Sequence, residues 1–169
     1  FEDGNTGWLG RNCNFSVTNA QPHSGSHCGA ATNRTKTWMG IKQSVLDKLK
    51  SGETYDISGW VRTSGTNEFI KLSVEQNDAD GTKYIDIASG TASGSGWTQL
   101  SGTFTYNPNG LVTVLDVYFE GPNAGIDLYV DDASVYGPEA FIEAVDAEIN
   151  LASPQQFIRG FGAASVWCG

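Results

Sequence analysis

Apolar and polar residues alternate with a period of two through much of this chain, the spacing that sends successive strand side chains to opposite faces. In the run 115–120, Leu115, Val117 and Phe119 point one way while Asp116, Tyr118 and Glu120 point the other. Comparable runs bounded by Gly, Asn, Pro and Ser cover 14–18, 27–32, 40–45, 54–63, 69–77, 83–89, 98–106, 112–120 and 126–135. About nine strands at intervals of roughly ten residues, with no helical period between them, predict an all-β protein, a β-sandwich jelly roll. Residues 44–51 read as a short helical turn. The texture changes at Tyr136-Gly137-Pro138-Glu139, which predicts a β module over 1–138 and a mostly irregular C-terminal extension over 139–169.

The polar faces of these strands carry the candidate chemistry. Tyr118 stands beside Glu120, and Tyr84 and Asp86 alternate with Ile85 and Ile87, so two strands each offer a ring next to a carboxylate. Such a pairing suits a sugar, whose C–H faces lie on the ring and whose hydroxyls meet the acids. Trp38 lies in the polar stretch 34–40, where its neighbours bury it poorly. Trp60 and Trp97 sit in strand openings and are assigned mainly to the core.

Composition narrows the partners. With 10 basic against 19 acidic residues the formal charge is -9, which repels phosphate backbones and anionic lipid, so neither nucleic acid nor a membrane surface is an expected partner. Charged residues make up only 17 % of the 169, and Gly reaches 21, a balance that fits secreted all-β modules; a monomer is expected. The three cysteines are Cys13, Cys28 and Cys168. A hairpin turn over 19–25 would bring Cys13 and Cys28 to nearly opposed positions, which leaves two readings open, a disulfide or two small buried thiols. His23 and His27, flanking Ser24-Gly25-Ser26, read as a turn and an edge strand and not as a zinc site.

Several motifs occur here in one order: Phe1-Glu2-Asp3-Gly4, His23-Ser24-Gly25, Thr37-Trp38-Met39-Gly40, Gly52-Glu53-Thr54-Tyr55 leading to Ser58-Gly59-Trp60-Val61-Arg62, Gly96-Trp97-Thr98-Gln99, Tyr118-Phe119-Glu120 and Tyr129-Val130-Asp131-Asp132. Together they resemble a family 22 carbohydrate-binding module over about residues 1–137, with the family 4 and family 9 group as the nearest rival. The resemblance implies a xylan-binding jelly roll attached to a xylanase, with Trp38, Tyr84 and Tyr118 as stacking rings, Glu120 as acceptor and Arg11 as donor. Arg11 is followed by Asn12-Cys13 where a glycine is more typical of the family. The resemblance also implies a structural calcium ion away from the sugar face. Glu2 and Asp131, near first and last strands taken to lie side by side, would supply two carboxylates, with Asp132 as a substitute and backbone carbonyls around 23–25 completing the oxygen set.

A second resemblance covers 149–167, where Gln156-Phe157-Ile158-Arg159-Gly160-Phe161-Gly162 is similar to the opening of a glycoside hydrolase family 30 catalytic domain. This stub implies a neighbouring hydrolase and carries no acids for catalysis of its own. Two other functions remain open from the residues alone: a jelly-roll glycosidase using Glu75 and Glu120 as its carboxylate pair, or a spacer that steadies an attached domain without binding sugar.

Overall fold

The computed structural model describes residues 1–138. The C-terminal extension, the hydrolase-like stub and Cys168 lie outside the described residues. Among the described residues ten strands form: β1 (Trp8–Arg11), β2 (Asn14–Thr18), β3 (Cys28–Thr32), β4 (Gly40–Ser44), β5 (Thr54–Thr63), β6 (Glu68–Asp78), β7 (Gly81–Ala92), β8 (Thr98–Thr105), β9 (Val114–Glu120) and β10 (Leu128–Tyr136). They make two five-stranded antiparallel sheets, one in the order β1-β4-β9-β6-β7 and the other β2-β3-β10-β5-β8. No helix occurs among the described residues, so the expected jelly-roll sandwich is the observed architecture.

Alternation explains the sandwich. Ile70, Leu72 and Val74 of β6, Leu115, Val117 and Phe119 of β9, Ile57 and Val61 of β5, and Leu128 and Val130 of β10 meet in one buried core between the sheets. Burying a side chain the size of Phe119 contributes about 2–3 kcal/mol. Its ring occupies the space over Gly59, where an added Cβ would lie only 2.4 Å from Phe119 Cζ, so Gly59→Ala would force the two sheets apart locally. Central position explains why β9 is buried on both faces: it lies between β4 and β6, and its polar-side residues Asp116 and Tyr118 are 5 % and 2 % exposed.

The structure departs from the sequence reading at β1 and at 44–51, and it decides between the two readings of the cysteines. The tenth strand, β1, has four residues including Gly10, too short to show alternation, and pairs only with β4 at the sheet edge. Residues 44–51 form turns without a helix. One Lys48 N–H to Val45 carbonyl bond closes a turn, Asp47 adopts φ 63°, and so short a segment cannot repay helix nucleation. Cys13 and Cys28 are free thiols. The β2–β3 register pairs Cys28 with Thr18, five residues from Cys13, so the hairpin holds the two sulfurs at opposite ends. Cys13 donates instead to the Gly40 carbonyl at 3.1 Å.

Candidate functional site

The outer face of the first sheet holds a cleft of about 840 Å³ lined by Arg11, Trp38, Lys42, Glu75, Tyr84 and Glu120, among others. The pleat builds it. Lys42 of β4, Tyr118 of β9 and Ser73 of β6 stand in one row across the strands, and Asp116, Glu75 and Tyr84 in the next. All five residues expected at a sugar site, Arg11, Trp38, Tyr84, Tyr118 and Glu120, line this one cleft.

Arg11 organises it. Reaching inward from edge strand β1, its Nη1 donates to Glu120 Oε2 at 3.0 Å and to the Trp38 carbonyl at 2.6 Å, while Nη2 donates to Glu75 Oε2 at 3.2 Å. Its Cζ lies 4.2 Å from the Tyr118 ring centroid, and 5.7 and 5.6 Å from those of Trp38 and Tyr84, within cation–π range. Tyr118 therefore differs from the open stacking platform expected of it. The ring is 2 % exposed and its face is covered by the guanidinium, so it supports Arg11 from beneath. The rings left open are Trp38, 44 % exposed, and Tyr84, 61 % exposed.

Two further ion pairs edge the cleft, Lys42 Nζ to Asp116 Oδ2 at 2.6 Å and Lys71 Nζ to Asp86 Oδ2 at 2.5 Å. Neither lysine was singled out from sequence, although both occupy polar positions in alternating strands, Lys42 beside Ile41 and Lys71 between Ile70 and Leu72. Burial raises the Glu120 pKa above its ordinary value, against the opposing pull of Arg11. Burial also pushes the Tyr118 hydroxyl up to about 12, which keeps it a neutral hydrogen-bonding group. Arg11, Lys42 and Lys71 offset all but one of the four carboxylates at the cleft, Glu75, Asp86, Asp116 and Glu120, so a chain of net charge -9 presents a nearly balanced cleft to an uncharged, hydroxyl-rich ligand.

The same geometry disfavours the glycosidase reading. A catalytic pair needs one carboxyl free to protonate a leaving group and another free to attack or activate water. Here Glu75 and Glu120 are joined by one guanidinium, which holds both as hydrogen-bond acceptors.

Glu2, Asp131 and Asp132 gather at the turn 23–27 and away from the cleft. Glu2 Oε1 accepts from the Ser26 and His27 N–H groups at 2.9 Å each, and Asp131 Oδ2 accepts from those of His23 and Ser24 at 2.8 and 3.3 Å. Asp132 takes the Ser24 hydroxyl at 2.7 Å and lies 2.6 Å from His23 Nδ1. These bonds lower the pKa of Glu2 and of Asp132. The strands are not neighbours as expected: β1 pairs with β4 in one sheet and β10 with β3 and β5 in the other, and Glu2 reaches the turn from before β1. Two carboxylates on one turn fit a hard cation's preference for oxygen. Among the described residues no three His, Cys, Asp or Glu side chains converge as metal ligands, so an ion here would depend on backbone oxygens for the rest.

The turn also overturns the core assignment of Trp60 and Trp97. Both are only partly buried, and Trp60 stands on the outer face of the second sheet, where the His23 ring stacks on it at 3.9 Å and 16°. Trp97 meets the same imidazole edge-on at 5.9 Å. Arg34 escaped notice because its neighbours are polar, yet it is 2 % exposed. A charged residue in a polar loop carries no sequence signal for burial.

The chain is 33 % identical over 156 residues to endo-1,4-beta-xylanase A of Thermotoga neapolitana, covering 89 % of this chain and 14 % of that protein. It is 32 % identical over 142 residues to endo-1,4-beta-xylanase 2 of Arabidopsis thaliana, covering 80 % and 13 %. The chain thus spans about a seventh of the curated relatives it matches. Its structure superposes on the CBM22-1 xylan-binding domain of Paenibacillus barcinonensis Xyn10C with a TM-score of 0.71 at 26 % identity, over 78 % of this chain and 85 % of that one. The sandwich, the ring-bearing cleft on one of its faces and a carbohydrate binding domain profile (CBM_4_9) matching residues 1–125 lead to one conclusion: the chain belongs to this family of carbohydrate-binding domains.

Proposed function

We propose that this noncatalytic module binds an internal stretch of xylan chain along the cleft and holds an attached hydrolase near its polymer. The observation that carries the reading is the pair of open rings, Trp38 and Tyr84, beside a fixed Arg11–Glu120 hydrogen-bonding centre in one nearly charge-balanced trough. Pentose units stack on the rings while their hydroxyls exchange water for Glu120, Arg11 and the lysines at the rim. A few such contacts against water competition correspond to roughly tens of micromolar. Tethering converts this modest affinity into local concentration of the catalytic partner.

The xylanase relatives and the Xyn10C xylan-binding domain support the choice of polymer. A module boundary near residue 138, a family 30 hydrolase after it, monomeric state and secretion belong to the same reading. Glu2 and Asp131, with Asp132 beside them, are the residues that would hold a structural calcium ion, which would supply charge neutralisation to the 23–27 turn. Chelation should then lower the melting temperature and leave sugar affinity intact.

Titration calorimetry with xylohexaose and cellohexaose tests the function. Saturable binding that favours xylohexaose is expected, and no heat with either would overturn it. Sustained release of reducing sugar from xylan by the pure protein would restore the glycosidase reading.

A further inference from the structure

Trp38 lies on the β3–β4 loop, outside any strand, yet four consecutive carbonyls around it are all held by arginine. Arg34 Nε donates to the Met39 carbonyl at 2.8 Å, and its Nη2 donates to those of Thr37 at 3.2 Å and Lys36 at 3.5 Å. The remaining carbonyl, of Trp38 itself, is taken by Arg11 of the cleft at 2.6 Å. The same Arg34 guanidinium reaches the loop after β9, donating to Pro122, Asn123 and Ile126 carbonyls at 2.7, 3.3 and 2.6 Å. Return bonds close the unit: Gly121 N–H donates to the Thr37 carbonyl at 2.9 Å, and Gly125 N–H to the Arg34 carbonyl at 2.7 Å. Glu68 Oε2 anchors the far loop by accepting from the Asn123 backbone and side-chain amides, each at 3.0 Å.

Arg34 is 2 % exposed and makes its hydrogen bonds to main-chain oxygens alone. A charge buried without a hydrogen-bonded carboxylate is costly, and six carbonyl contacts from two loops are the compensation. Its fork of donors suits several divergent acceptors in a way a lysine ammonium cannot. What this arrangement secures is the direction of an exposed ring. A side chain 44 % open to solvent has few contacts of its own to fix it, so its aim depends on its backbone.

We propose that Arg34 is a positioning residue for carbohydrate recognition, acting through the main chain of 36–39 to preset Trp38 as a stacking platform before the sugar arrives. The inference rests on the proposed xylan-binding reading for its ligand, but its structural half stands apart from any ligand. Presetting lowers the ordering cost of association, so losing it weakens binding without removing a single sugar contact.

Two measurements test it. In ligand-free wild-type protein, hydrogen exchange should show the Gly121 and Gly125 amides, and the Met39 amide that donates to the Lys36 carbonyl at 3.3 Å, protected like strand amides. Rapid exchange there would overturn the proposal whether or not the module binds xylan. In Arg34→Lys, the Trp38 indole N–H resonance, identified by its loss in Trp38→Phe, should shift and broaden while those of Trp60 and Trp97 stay in place. Xylohexaose affinity should fall roughly tenfold. In a Trp38→Ala background the same change should cost much less affinity than in wild type, since the ring is the main contact that Arg34 sets and only its indirect hold on Arg11 and on the loop after Glu120 remains. Additive losses in that cycle, or an unmoved Trp38 signal, would overturn it. If wild-type protein binds no xylohexaose, the functional reading fails while the exchange and indole results still decide the positioning claim.

Discussion

The two sheets present outer faces of similar ingredients, one left open and one covered. On the first, Trp38, Tyr84 and Tyr118 lie among Glu75, Glu120 and Arg11; on the second, Trp60 and Trp97 lie among Asp131, Asp132 and His23. Rings beside acids occur on both. The difference is what covers them. The 19–27 loop folds back over the second face, placing an imidazole on Trp60 and its backbone amides on Asp131, so that face is satisfied within the protein. On the first face a guanidinium covers only Tyr118, and the other two rings remain open. On the proposed reading, the sugar-binding face is set apart by what its own loops leave uncovered, more than by its residue types.

The sharpest way to break this contrast is Arg11→Ala. Removing the shared cation leaves Glu75 and Glu120 facing each other, partly buried, and should cost about 3 kcal/mol in urea unfolding together with all measurable xylohexaose binding. Unchanged stability would show that the two acids do not depend on it. Trp38→Ala should be quieter, lowering affinity by roughly 2 kcal/mol, about thirtyfold, with the unfolding free energy within about 0.5 kcal/mol of wild type.

Acidification should separate binding from folding. Glu120 loses its charge at a pH above the ordinary 4.5, because burial raises its folded pKa, and its strength as acceptor goes with the charge. Protonation of a group raised by folding adds stability as pH falls through that folded value, so the fold does not suffer from this step. Asp78 behaves the opposite way. Hydrogen bonds, the Asn109 N–H foremost, hold its pKa down at about 2, so its contribution is complete above the ordinary 3.8 and is lost as pH falls from there toward 2. Calorimetry and melting followed from neutral pH into this range should therefore show affinity declining first. Loss of both together would remove Glu120 as the titrating acceptor. The smallest effect belongs to the second face: His23→Ala should cost about 1 kcal/mol of stability through the lost stack on Trp60 and leave xylohexaose affinity unchanged.

Much of this was legible along the chain. Period-two alternation located nine of the ten strands, because each must bury one face in the shared core, and the same parity placed Tyr118 and Glu120 together and Tyr84 beside Asp86. Parity gives a face, and not what lies upon it. That Arg11 crosses from an edge strand to sit on Tyr118, or that His23 caps Trp60, depends on chain segments that meet only after sheet order is fixed. Arg34 was illegible for a different reason. Its partners are all main-chain oxygens, which every residue has, so no partner side chain marks the site.

The first eleven residues contribute a single short edge strand, yet from them comes the carboxylate that accepts from the Ser26 and His27 amides and the guanidinium at the centre of the cleft. This leading segment fastens both sides of the sandwich at once. Trimming it would leave most of the core intact while erasing recognition on one side and loosening the cap on the other, so a fragment begun at Asn14 should fold and ignore its polymer.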